Sequence, residues 1–172
     1  VFVQGINWDE FFFLSHVYEL QRGELTGVLQ SIHTRLFGWL PLVPGSEIEE
    51  IRAARLIMLA CELVTVSAIV AVARHFTSRP AAMIAGLAYI AGGFVFQHGF
   101  SFRADTLAAA ILMSALWLTL RSVLSAAKSL GNATLIALAG MVTMKSIFYA
   151  PAFLGLAFCR ISEAGQGRRL AV

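Results

Sequence analysis

Charged side chains set against or inside long apolar runs carry the chemistry available to this 172-residue chain. Asp9 and Glu10 stand in Asn7-Trp8-Asp9-Glu10, ahead of an amphipathic stretch, and Arg103 and Asp105 stand in Phe102-Arg103-Ala104-Asp105, between two apolar runs. Carboxylates are costly near a hydrocarbon core, so a chain that keeps them there is expected to use them. Two such acids and an arginine facing one chamber suit the binding of a cation, or of a hydroxyl nucleophile beside a phosphate. Lys145 stands inside the last apolar stretch, 132–159. An unpaired lysine at the bilayer centre costs ~2.5–3.5 kcal/mol, so it must meet protein, water or an anionic ligand. Two assignments stay open: a buried pair with Glu62, or contact with the phosphate of a lipid-linked substrate, with Tyr149 as a hydrogen-bonding neighbour. Plainer readings exist for the acids as well. Asp9 and Glu10 suit a helix start electrostatically, and so does Asp105, which can also pair with Arg103 at little net gain.

The other reactive residue types point to less. His16 and His33 fall on amphipathic stretches, His75 in a loop and His98 beside a turn, with no His-x-x-x-His spacing to hold zinc. Cys61 and Cys159 lie inside apolar runs and are expected to pack as small hydrophobes rather than form a disulfide. Neither a glycine-rich phosphate loop nor a Gly-x-Ser-x-Gly is present, and the glycines and alanines of 81–120 read as close helix packing.

The elements that must position these residues are helical and membrane-bound. Apolar residues make up 58% of the chain, charged residues 13%, and mean hydropathy is +0.76, outside the range of soluble domains. The net charge of +3 is spread over short loops and does not form a nucleic-acid face. Helical spacing of apolar positions predicts two amphipathic helices, over 7–22 and 25–39, too short and too polar to span. Asn7 with Glu10 makes a capping box and Gly23 a C-terminal stop. Trp8 and Trp39 suit interfacial depth. Residues 1–53 therefore read as a loop with two juxtamembrane helices, and 54–172 as a transmembrane helical domain. Its spans are expected near 54–73, 81–98 and 106–120. The stretch 132–159 is too long for one straight span and too short for two, which predicts a hairpin of half-helices or one kinked helix around Pro151.

Orientation follows from the basic residues. Segments 74–79, 121–131 and 160–172 hold seven of the 13 Lys and Arg and one acid, Glu163, whereas 1–53 holds seven of the ten acids and three Arg. The positive-inside bias puts those three segments in the cytoplasm, so both acidic clusters fall on the outer face. The apolar start at Val1-Phe2-Val3 and the basic end at Arg168-Arg169-Leu170 predict a piece of a longer polytopic protein.

These motifs resemble the GT-C superfamily, the polytopic glycosyltransferases that use polyprenyl-phosphate sugar donors. The nearest likeness is to the bacterial branch of protein O-mannosyltransferases and the lipid A aminoarabinose transferase. Asn7-Trp8-Asp9-Glu10 is similar to the Asp-Glu signature of the family's first outer loop, and the amphipathic pair to that loop's juxtamembrane helices. Ala54-Arg55-Leu56-Ile57 through Ala73-Arg74-His75-Phe76 is similar to the second span, and Ser101-Phe102-Arg103-Ala104-Asp105-Thr106-Leu107 to the acidic motif opening the fourth. Met144-Lys145-Ser146 before Pro151 resembles the family's intramembrane lysine, with Ser146 where glycine is commoner.

The resemblance implies an N-terminal part of a transferase moving a sugar from a polyprenyl-phosphate donor to an acceptor on the non-cytoplasmic face, with inversion, in a bacterial inner membrane. Asp9 would be the general base, supported by Glu10, or would help hold a divalent cation with Asp105. Asp105 would otherwise orient the acceptor, while Arg103 and Lys145, with Tyr149, would bind the donor phosphate. Membrane lipid and further membrane subunits are the expected partners. Two readings of other classes compete: a non-catalytic membrane subunit with a transferase-like fold, and a transporter segment whose polar path runs through Glu62 and Lys145.

Overall fold

A computed structural model describes residues 5–26, 31–121 and 125–169, and among these every regular element is a helix. α1 (Trp8–Arg22) starts where the capping residues require. The Asn7 side chain accepts the Asp9 amide at 2.6 Å, and the Glu10 carboxylate accepts the Asn7 amide at 3.0 Å. Gly23 ends the helix at φ 73°, a left-handed conformation that glycine adopts without Cβ strain. The second amphipathic helix is shorter than its pattern predicts: α2 covers Ser31–Leu36, and residues 27–30 of the predicted stretch lie outside those described. A 3₁₀ turn at Leu40–Leu42, carrying Pro41, leads toward α3.

α3 (Glu47–Phe76) is 30 residues long, about 45 Å, and opens with Glu47, Glu49 and Glu50 at its positive end. It extends well before the expected 54–73 because its first turns carry the packing against α1 and Phe102. There Ile51, Ala54 and Met58 pack with Leu14 and Val17 of α1, and with Phe37, Leu40 and Phe102, in one buried cluster. α6 (Ala104–Arg121) packs along α3. Among the described residues these two helices are long and apolar enough to cross a bilayer.

The predicted span over 81–98 is divided. α4 (Arg79–Ala91) stops at Gly92, whose ψ of 124° leaves the helical region, and α5 (Gly93–His98) is a separate short helix. α4 lies against α3 at Gly86, where a Cβ would stand 2.7 Å from Val70 Cγ2, so only a glycine permits this approach.

The stretch over 132–159 holds two helices, but the break falls at residues 143–149 and not at Pro151. α7 (Ala126–Val142) starts earlier, capped by Ser125, and stops where Thr143 turns extended at φ −152°. A 3₁₀ turn, Met144–Tyr149, separates it from α8 (Ala150–Arg169). Pro151 sits in the first turn of α8, where a missing amide costs nothing, so it starts a helix instead of kinking one. α7 runs antiparallel to α6: Asn132 hydrogen-bonds Thr119 at one end, and Val142 packs on Ala104 and Ala108 at the other. Seventeen residues rise about 26 Å. The chain after α7 is thereby returned to the level of Asp105.

Candidate active site

Besides the apolar contacts of Leu14 and Val17, a buried carboxylate, Glu10, ties α1 to the rest of the fold. Its side chain is 0% exposed, and both oxygens are taken: by Arg55 Nε at 2.8 Å and Nη2 at 2.6 Å, by the Phe102 amide at 2.9 Å and by the Asn7 amide. Arg55 Nη2 also donates to the Gly5 carbonyl at 2.9 Å. Burial alone raises the Glu10 carboxyl, but the bonds from Arg55, Asn7 and Phe102 outweigh it and hold the group below its ordinary value. One carboxylate thus joins the start of α1, the body of α3 and the turn before α6.

That turn carries Arg103, and its guanidinium bridges the two acids. Nη1 lies 2.7 Å from Asp9 Oδ2 and Nη2 lies 3.7 Å from Asp105 Oδ2. Phe94 of α5 underlies the guanidinium, 5.6 Å from ring centroid to carbon. Lys145 Nζ reaches the same Asp105 oxygen at 2.9 Å. Asp9 is 46% exposed and Lys145 65%, so this network opens outward while Glu10 is sealed. Beside it a cavity of about 310 Å³ is lined by Phe94, Asp105, Leu112, Thr143, Lys145 and Tyr149. Of the residues singled out in the sequence, Asp9, Arg103, Asp105, Lys145 and Tyr149 are brought together, and Glu10 stands behind them.

Glu62 does not pair with Lys145. It is buried against α4, hydrogen-bonded with Tyr89, with its carboxyl carbon 3.2 Å from where a Gly99 Cβ would stand. The physical reason is the length of α7, which carries Lys145 along α6 to its Asp105 end. The sequence reading missed Arg55. Part of its signal was present: a guanidinium set into a long apolar run needs an anionic partner, but Glu10, Glu19 and Glu24 all precede that helix and the sequence does not choose among them.

His33 is another buried polar group, 1% exposed, in a cage of Phe13, Phe37 and Phe102. Neither ring nitrogen has a hydrogen-bond partner, and burial pushes its pKa down to about 4 despite the neighbouring Asp105. The ring behaves as a neutral aromatic that holds Phe102, and so the turn bearing Arg103, in place.

The donor set fits a divalent cation poorly in this arrangement. Arg103 occupies the space between Asp9 and Asp105, Lys145 already neutralises Asp105, and no group of three His, Cys, Asp or Glu among the described residues converges on a metal position.

A family model described as dolichyl-phosphate-mannose-protein mannosyltransferase matches residues 42–169, which take in α3 to α8 and Arg103, Asp105 and Lys145. No curated protein and no solved structure matches the chain.

Proposed function

The chain belongs to the dolichyl-phosphate-mannose-protein mannosyltransferase family, and from that premise we propose that it transfers a sugar from a polyprenyl-phosphate donor to an acceptor hydroxyl on the non-cytoplasmic face of a bacterial inner membrane. The observation that carries the reading is the single guanidinium bridging Asp9 and Asp105, with Lys145 on the second acid. Residues 1–53 lie on the outer side in this proposal, as the distribution of basic residues requires.

The side chains then divide the work. Asp9, half-exposed, accepts the proton of the acceptor hydroxyl as its oxygen attacks the anomeric carbon. The bond from that carbon to the phosphate oxygen breaks, and the electron pair leaves with the phosphate. Attack from the face opposite the leaving group inverts the centre. Lys145 turns from Asp105 to the departing phosphate, joined by Arg103 from behind and the Tyr149 hydroxyl from the cavity wall. Asp105 holds both cations in place before the donor arrives and orients the acceptor. Glu10 is a positioning residue: it touches Arg55 and the Phe102 amide and sets where Asp9 and Arg103 stand. The lipid tail of the donor lies along the exposed apolar surface of the turn after α7, where Ile147 and Phe148 face outward.

Asp9→Asn and Asp105→Asn in the intact membrane-inserted protein test the reading by transfer of radiolabelled sugar from a polyprenyl-phosphate donor. Loss of general-base help lowers the rate of Asp9→Asn about 10²–10⁴-fold, with unchanged insertion and thermal stability. Transfer at the unsubstituted rate in both variants would overturn the assignment and favour a non-catalytic subunit.

A further inference from the structure

At the end of the molecule away from Asp9 and Asp105, α3 and α6 leave a cleft between them with two chemically distinct parts. One part is apolar and lies at membrane depth, about 410 Å³ between Leu63, Val64, Ala68 and Ala71 of α3 and Ser114 and Trp117 of α6. The other, about 470 Å³, shares Ala71 and Trp117 with the first and opens between Arg74, His75 and Arg121. The two are therefore one continuous groove with a greasy floor and a basic mouth. Among the described residues, no acid lines either part. The Arg121 guanidinium lies over the Trp117 ring, 5.4 Å from its centroid, which holds the charge at the mouth instead of letting it extend freely into solvent. From Leu63 to His75 the helix rises about 18 Å, roughly one leaflet of hydrocarbon.

We propose that this groove is a binding site for one anionic phospholipid of the cytoplasmic leaflet, with its phosphate between Arg74 and Arg121 and one acyl chain along Leu63, Val64 and Ala68. Charge complementarity selects the occupant. Two guanidiniums, one of them held over Trp117, with no carboxylate among the described residues lining the mouth match a phosphodiester headgroup that carries a net negative charge, whereas a zwitterionic headgroup brings its own cation to the same place. Trp117 supplies the aromatic body with a polar edge that suits the boundary between chain and headgroup. The site is independent of the sugar-transfer reading, because it shares no residue with the Asp9–Arg103–Asp105–Lys145 network and lies at the opposite end of α6.

The chain has three tryptophans, Trp8, Trp39 and Trp117, so W8F/W39F leaves Trp117 as the sole emitter. This protein is placed in phosphatidylcholine vesicles containing a small fraction of brominated phosphatidylglycerol or, separately, brominated phosphatidylcholine. Trp117 is expected to be quenched at a far lower fraction of the anionic lipid, with R74Q and R121Q each reducing that preference roughly fivefold and R79Q leaving it nearly intact. Equal quenching by the two lipids, or a preference unchanged in R74Q and R121Q, overturns the proposal. So does quenching by neither, which would mean that another helix or a second copy covers the groove. Should W8F/W39F fail to insert, native mass spectrometry of the unsubstituted protein released from mixed bilayers gives the same reading. A retained phosphatidylglycerol well above its bilayer share is expected, and a statistical mixture of the two lipids overturns the site.

Discussion

Asp9 and Glu10 are adjacent in the chain, share one helix turn and each meet an arginine, yet the two ion pairs differ in almost every physical respect. A helix separates neighbours by about 100°, so one faces inward and the other outward. Glu10 points into the protein, where Arg55 and two backbone amides satisfy it completely. Asp9 points to the opening, held by one contact from Arg103, with half its surface free. A saturated buried carboxylate has no lone pair left for a substrate proton, whereas a half-exposed one does. On the proposed mechanism the tandem acidic motif is two devices: one acid builds the site and its neighbour works in it.

The sharpest way to break that contrast is Arg55→Met, which leaves Glu10 charged, buried and without its main partner. Removing one member of a buried pair costs about 3–5 kcal/mol, so a large fall in the detergent unfolding midpoint is expected, and transfer activity goes with it. Equal stability in that variant and the unsubstituted protein would mean that the Glu10 tie is dispensable.

Lys145→Met tests the open network from its other end. Losing one preorganised charge on the leaving phosphate lowers turnover about 10²–10³-fold, while the unfolding midpoint stays close to the parent because Lys145 is two-thirds exposed. Lys145→Arg, which keeps the charge, is expected to recover most of the rate, and a variant series that tracks side-chain length instead of charge would refute the phosphate role.

The smallest effect concerns His33. Its folded pKa of about 4 lies below the ordinary 6.5, so the neutral ring is favoured by folding. That contribution is complete above pH 6.5 and is lost as pH falls toward 4. By pH 5.5 the loss is about 1 kcal/mol, readable as a lowered unfolding midpoint. His33→Phe fills the aromatic cage without a titrating group and is expected to flatten that part of the pH profile. An unchanged slope would show that the acid sensitivity resides elsewhere.

Much of the helical layout was legible in the sequence, because apolar runs, capping residues and basic flanks act over a few residues each. Asn7, Glu10 and Gly23 marked both ends of α1 correctly for that reason. The break of the second apolar run at Gly92 and the end of α7 at Thr143 were not legible. The run over 81–98 is apolar on both sides of Gly92, and the length of 132–159 called for a break without placing it, because hydropathy does not locate a turn within an apolar stretch. A stretch starting at 132 puts Lys145 near mid-membrane or at the apex of a hairpin, whereas a helix starting six residues earlier brings it to the Asp105 end.

What the amino-acid sequence determined alone is the class of molecule and its reactive inventory: a helical membrane chain with acids gathered in some segments and bases in others, since hydropathy and charge are properties of residues. Which carboxylate is sealed and which is free, that Arg55 answers Glu10, and that Lys145 answers Asp105 and not Glu62 were decided only by tertiary packing. Those pairings join positions 40 or more residues apart, and their partners are selected by the direction and length of the helices between them, which no local pattern encodes.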